Sequence, residues 1–274
     1  MPEGLFTKST FSIHSDYIMG YNMLMSVKKI LAQVRKADRM FSLIEDHDKI
    51  GIGLSGGKDS SLLLYIMYLY RFLYENTYHK TFDIVGIHID LNFGESDMTP
   101  MLEWFKQYDI PIVCEQSKIA DILKLNLHND RIDCSLCSTL KKGAVINCAK
   151  KQGCNKVAFA HHADDAIETL FMNMIYGGRL ATFDPKMYLD HSETTFIRPF
   201  CMSFESDIAK TCRSLEIPIV SSGCPNDGYT KRQDIKQLLH SIYHEYPQAK
   251  ENFLLSLYNK EHLNLYLNKL DPKI

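Results

Sequence analysis

The sequence predicts an α/β fold built on a parallel sheet, and three observations lead there. An apolar run, Ile50-Gly51-Ile52-Gly53-Leu54, feeds into Ser55-Gly56-Gly57-Lys58-Asp59-Ser60, and a long apolar stretch from Leu62 to Tyr74 follows. That is strand, glycine-rich turn, helix. Further strand-like runs recur down the chain with helical segments between them, the spacing of βαβ units. The helix after the turn is apolar nearly all round, as burial against a sheet requires.

In chain order, residues 1–45 read as an N-terminal arm and an amphipathic helix. Met1 to Gly20 are aperiodic and are expected to be loosely packed. From Asn22 to Ile44 the apolar positions Met23, Val27, Ile30, Leu31, Val34 and Phe41 fall near helical spacing. Lys28, Lys29, Arg35, Lys36 and Arg39 lie between them, either as a solvated face or as a contact surface for RNA phosphates. Residues 46–225 read as a catalytic domain and residues 226–274 as a C-terminal helical segment. Within the catalytic domain, Asp83–Asp90 reads as the second strand, Met98–Tyr108 as a helix and Pro111–Cys114 as the third strand. Ser138–Lys151 then reads as a helix and Asn155–Ala160 as the fourth strand. Phe196–Phe200 and Ile217–Val220 are further strand candidates, and Thr230–Leu267 has helical periodicity.

The turn after the first strand has a chemistry. Gly56 and Gly57 let the backbone adopt positive φ and approach a ligand closely. Successive N–H groups in such a turn form an anion nest, and the helix that follows adds its positive end. Ser55 and Ser60 add hydroxyls, Lys58 a cation, and Asp59 a carboxylate able to hold Mg²⁺. An ordinary Gly-Gly turn before a buried helix would not need these side chains. The hexapeptide resembles the PP-loop of ATP pyrophosphatases, a family that cleaves ATP between its α and β phosphates. In a doubly wound sheet, ligands sit beyond the C-terminal strand ends. Asp90 is therefore either a nucleotide contact or a turn residue, and Asn92 is placed beside it. Ala160-His161-His162-Ala163-Asp164-Asp165 falls on the same edge and opens a helix from Ala166 to Ile175, closed by Tyr176-Gly177-Gly178-Arg179. Its imidazoles and carboxylates suit metal and phosphate binding; an aspartate there could equally cap the helix.

The chain has 8 cysteines. Cys134 and Cys137 form a Cys-x-x-Cys pair, and Cys224, in a turn-rich loop, is the best distant partner. Spacing alone leaves four readings open: an iron–sulfur cluster, a zinc site completed by His128 or His161, a redox pair, or no site. Cys114, Cys148, Cys154, Cys201 and Cys212 read as core residues.

Taken in order, the PP-loop, Cys134–Cys137 with Lys141 and Lys142, and His161–Asp165 resemble the tRNA 2-thiocytidine synthetase family. Ile197-Arg198-Pro199, Cys224 and Lys231-Arg232-Gln233 continue the likeness, which runs from about Lys28 to about Leu257. The resemblance implies an adenine nucleotide α-hydrolase-like (PP-loop ATPase) fold with flanking N- and C-terminal helices. It also implies a [4Fe–4S] cluster on Cys134, Cys137 and Cys224, ATP and Mg²⁺, a tRNA substrate and a homodimer. Ser55, Gly56, Gly57, Lys58, Asp59, Ser60, Asp90 and His161 are then the ATP-binding candidates. Lys58, Asp59, Lys141 and Asp165 are the catalytic ones, with Asp59 also on Mg²⁺. Lys142, Arg179, Arg198, Lys231 and Arg232 are candidates for gripping RNA. The implied reaction adenylates the C2 oxygen of an anticodon-loop cytidine and replaces it with sulfur, supplied by a donor such as a cysteine desulfurase. Synthesis of 2-thiouridine, a PP-loop ligase acting on a small molecule, and a nucleotide-binding sensor are the competing functions.

The composition is ordinary for a globular chain, at 274 residues, 45% hydrophobic and 23% charged. A net charge of -2 excludes a globally basic protein, so an RNA partner must be met by a local patch. There is no uninterrupted apolar run of membrane-spanning length and no signal-peptide pattern, so a cytoplasmic location without membrane contact is expected.

Overall fold

The computed structural model describes residues 9–93, 97–126, 132–220, 231–259 and 261, with side chains of the first helix from Met23 onward. Six strands form one sheet: β1 (Asp48–Gly53), β2 (Phe82–Asp90), β3 (Ile112–Gln116), β4 (Lys156–Ala158), β5 (Lys186–Leu189) and β6 (Thr194–Ile197). Their order is β3-β2-β1-β4-β6-β5, every pair parallel except the β5–β6 hairpin at one edge. The parallel α/β architecture predicted from the sequence is the architecture found.

The helices are α1 (Ser9–Phe41), α2 (Lys58–Tyr78), α3 (Thr99–Lys106), α4 (Ile119–Leu125), α5 (Cys134–Lys151), α6 (Ala163–Gly177), α7 (Glu205–Ser214), α8 (Lys231–Glu245) and α9 (Ala249–Ser256). The two-residue period of β2 sorts them onto two faces. Val85, Ile87 and Ile89 join a core with Ile119 and Leu123 of α4 and Val145, Ile146 and Ala149 of α5. The alternate position, Gly86, faces α2 so closely that a Cβ there would stand 2.9 Å from Leu64. On that side α1, α2 and α7 pack against one another. Asp38 is buried inside this layer, accepting hydrogen bonds from Tyr70 Oη (2.8 Å) and Ile44 N (2.9 Å), and burial pushes its pKa up. Lys156, at the start of β4, is buried on Asp48 at 2.7 Å.

By their contacts the residues fall into two compact units, Met1–Asp164 with Phe183–Tyr229, and Asp165–Thr182 with Thr230–Ile274. The first holds the whole sheet. The second pairs the rest of α6 with α8 and α9. Phe253 of α9 lies 5.1 Å from the Phe171 ring and 6.2 Å from that of Tyr243.

Four expectations are corrected. Residues 9–20 are helical, continuous with α1, rather than a loose arm. Ile217–Val220 forms no strand; Val220 N instead donates to Gly56 O at 2.9 Å. Cys114 is exposed, because β3 is an edge strand, whereas Cys148, Cys154, Cys201 and Cys212 are buried as expected. The Cys-x-x-Cys pair lies inside α5, which begins at Cys134 rather than at Ser138. Among the described residues no helix is long and apolar enough to cross a membrane.

Candidate active site

The C-terminal edge of the sheet assembles the site. β1 stops at Gly53, and Leu54 N still donates to Ile87 O at 2.8 Å. The chain then turns at Gly56, whose φ of +88° suits glycine. A Cβ there would also sit 3.2 Å from Val220 Cβ and 3.3 Å from Val220 O. Ser60 Oγ accepts from Ser55 N at 3.0 Å and meets Ser55 Oγ at 2.9 Å, which fixes the loop from within. Gly57 caps α2 with no side-chain hydrogen bond, so the first amides of a 21-residue helix have no side-chain cap. Uncapped amides at the positive end of a helix suit a phosphate.

Lys58 Nζ stands between two carboxylates, 3.1 Å from Asp59 Oδ2 and 2.9 Å from Glu205 Oε1. Glu205 opens α7, and its backbone N donates to Asp164 Oδ2 at 2.7 Å. His162 Nδ1 lies 3.7 Å from that same oxygen. The loops after β1, β4 and β6 are thereby tied into one polar network around Lys58. Sequence reasoning missed Glu205, which stands 147 positions from Lys58 and belongs to no motif. Burial alone would lower the Lys58 pKa; the Glu205 hydrogen bond and the Asp59 charge outweigh it, and the net direction is up. The sign of a test follows. In Glu205→Gln, burial is less opposed, so the Lys58 pKa falls. The alkaline limb of a pH–rate profile for pyrophosphate release is expected to move to lower pH, with the rate near neutrality changed little. An unmoved limb would show that Glu205 does not set the charge of Lys58.

The remaining candidates divide. Asp90 closes β2, and its Oδ1 accepts from Asn92 N at 2.8 Å while Asn92 takes a φ of +62°. Its carboxylate thus serves the turn at the strand end. His161 lies in an aromatic row, 6.0 Å from the Phe159 ring and 5.4 Å from that of Phe183. Arg198, only 6% exposed, packs over Phe183 at 4.8 Å and donates to Asp184 O. Lys142 is half-buried, and burial with the nearby Arg198 charge lowers its pKa. In the second unit Asp165 meets Arg232 at 3.1 Å, and Arg232 also holds Glu168 at 3.0 Å. Lys231 lies over the Tyr176 ring at 4.9 Å, and Arg179 is exposed just beyond Gly178, whose φ is +57°.

The cysteine pair has its own local design. Asp133 caps α5, with Oδ1 accepting from Ser135 N at 2.7 Å and Leu136 N at 3.3 Å. Cys134 and Cys137, three apart at the helix start, share one face. Cys134 is exposed and Cys137 half-buried against the α4–α5 core. Because α5 leads into β4, its first turn lies at the same sheet edge as the PP-loop. Lys141 follows one turn on, also half-buried. Cys224 and His128 lie outside the described residues, within which no three His, Cys, Asp or Glu side chains converge as a metal site. The donors nevertheless fit the implied groups. Two thiolates on one helix face suit iron or another soft metal. Asp59 Oδ1 is buried without a hydrogen-bond partner, which suits a hard cation such as Mg²⁺.

Comparison with known proteins agrees with the fold. Residues 24–241 match the family of PP-loop domains. The chain is 34% identical over 246 residues to the tRNA-cytidine(32) 2-sulfurtransferase of Paraburkholderia xenovorans (strain LB400), covering 89% of this chain and 72% of that one. It is 31% identical over 234 residues to the enzyme of the same name from Syntrophotalea carbinolica (strain DSM 2380 / NBRC 103641 / GraBd1), covering 85% and 89%. The fold matches that of the U34-tRNA thiolase NcsA from Methanococcus maripaludis, solved with its [4Fe-4S] cluster. That match has a TM-score of 0.68 at 20% identity, over 88% of this chain and 81% of that one. The chain belongs to the PP-loop family and, within it, to the tRNA-cytidine(32) 2-sulfurtransferases.

Proposed function

We propose that the protein thiolates tRNA at the expense of ATP, converting an anticodon-loop cytidine to 2-thiocytidine. The observation that carries this reading is one sheet edge bearing both an uncapped phosphate loop with its lysine and a helix-borne cysteine pair.

ATP lays its phosphates on the amides of Gly56 to Lys58 and on the positive end of α2. The C2 oxygen of the base attacks the α phosphorus, an O–P bond forms and pyrophosphate leaves. Lys58 and the loop amides meet the negative charge that develops on the phosphoryl oxygens. Asp59 would hold Mg²⁺, which neutralises phosphate charge. Cys134, Cys137 and Cys224 would hold a [4Fe–4S] cluster, whose chemistry when bound is to present sulfide as a soft nucleophile. Replacement of the adenylated oxygen by sulfur expels AMP. Lys141, one turn past the pair, is assigned to orienting the base or a phosphate. The His162–Asp164–Glu205 network holds Lys58 through Glu205, which adds Asp164 to the positioning groups. An external donor such as a cysteine desulfurase supplies the sulfur, and the enzyme works as a homodimer.

The test is a mass-spectrometric nucleoside digest of tRNA from cells with and without the protein. Loss of 2-thiocytidine alone is the expected result. Loss of a thiouridine would keep the chemistry and move the substrate; unchanged thionucleosides would overturn the proposal.

A further inference from the structure

We propose that the outer face of α1 is a docking surface for the phosphate backbone of the RNA substrate, with Lys28, Arg35 and Arg39 as its contacting cations. This inference rests on the tRNA reading above and adds a surface which that reading does not contain.

The helix has two unlike faces. Val27, Ile30, Val34 and Ala37 are buried against α2 and α7. Lys28, Arg35 and Arg39 are exposed. At 3.6 residues per turn, offsets of 7 and 11 return to within about 20° of the starting direction, so the three cations form one straight stripe. With a rise of 1.5 Å per residue the stripe runs about 16 Å. Among the described residues none of the three has an ion-pair or hydrogen-bond partner. Lys29 is different, being held by Asp207 at 2.7 Å, and is left out.

Charge composition separates this stripe from an ordinary solvated face. From Met23 to Phe41 there are five basic residues and one acid. That acid, Asp38, points inward to Tyr70. The whole chain, by contrast, has a net charge of -2. Solvated helix faces commonly mix signs, because like charges four apart repel and destabilise the helix. Arg35 and Arg39 are such a pair, and Lys36 stands three before Arg39. Arg39 gains from the negative end of the helix, but Lys28 and Arg35 lie outside the last turn, where that effect fades. A polyanion relieves all of these repulsions together. The surface is also concave there: a cleft of about 370 Å³ is lined by Ala32, Arg35, Lys36, Arg39 and Met40.

The experiment is a salt titration of tRNA binding by the full chain and by the triple variant K28Q/R35Q/R39Q. Each lost phosphate contact makes the slope of log K against log salt shallower by about 0.7–0.9. The triple variant is expected to lose about two units of slope and to keep its ATP affinity and thermal unfolding. K28R/R35K/R39K, which retains the charges, should keep the wild-type slope. A wild-type slope in the neutral variant would overturn the docking surface, as would loss of self-association at an unchanged slope, which would give this face to a second copy of the chain. Failure of the wild-type chain to bind tRNA at all would instead overturn the tRNA reading, which keeps the two failures apart.

Discussion

Lys58→Ala is expected to lower pyrophosphate release by two to three orders of magnitude while leaving the fold intact. Removing one well-placed donor from a site of developing negative charge costs about 10²–10³ in rate. Lys58 is also the one cation among the described residues within 4 Å of both Asp59 and Glu205. Its loss removes from Asp59 and Glu205 the ammonium they share beside the phosphate loop, so the deficit should fall on the chemical step more than on tRNA binding. The fold should survive because the loop is held by Ser55, Ser60 and the Val220–Gly56 hydrogen bond, none of which uses Lys58. A second sign follows. With the ammonium gone, the Asp59–Glu205 pair becomes a stronger cation trap, and half-maximal activity should need less Mg²⁺ even as the maximum falls. AMP formation at the wild-type rate in this variant would remove the PP-loop from the mechanism. The measurement is release of pyrophosphate in the presence of tRNA, with thermal unfolding as the control.

What the sequence made legible is what depends on local pattern. The PP-loop, the strand–helix alternation and the glycine end of α6 are each written in a few consecutive residues, and each is found in place. What it hid depends on pairs far apart in the chain. Glu205 reaches Lys58 because β4 lies between β1 and β6 in the sheet and the helices that follow β1 and β6 pack together, and no local signal could report that. Ile217-Pro218-Ile219-Val220 has the apolar content of a strand, but its amide at Val220 is used by Gly56 and Pro218 has none to give a ladder. Cys114 reads as core by its apolar neighbours, yet exposure on an edge strand is a property of sheet order. The start of α5 was readable: Asp133 just before the pair is a helix-capping residue, and recognising it puts both thiols on one face. The basic residues divided along the same line. Arg198 and Arg232 look alike on the page, but one is packed over Phe183 and the other is held by two carboxylates of α6.

Cys134→Ser and Cys137→Ser are each expected to abolish thiolation and to strip iron from the protein, while pyrophosphate release persists. The separation follows from geometry. The proposed adenylation uses the loop after β1 and the network around Lys58, whereas the two cysteines stand on the first turn of α5. A hydroxyl is a poor substitute for a soft thiolate ligand, so one substitution at a shared metal should suffice. Cys134 is exposed at the first position of α5, so its serine variant should fold as the wild type does. Cys137 is half-buried against the α4–α5 core, so its serine variant should lose about 1 kcal/mol of stability from burying a hydroxyl. Equal loss of iron in the two variants despite that difference in stability would mark a shared metal rather than a packing defect. Cys114→Ser supplies the comparison. Cys114 is also exposed, but it stands on β3, away from the α5 start, and its loss should change neither iron content nor thiolation. Iron retained at the wild-type level in both Cys134→Ser and Cys137→Ser would remove the pair from the ligand set. Their placement at the start of α5 would then have to be explained by redox chemistry between two thiols three residues apart.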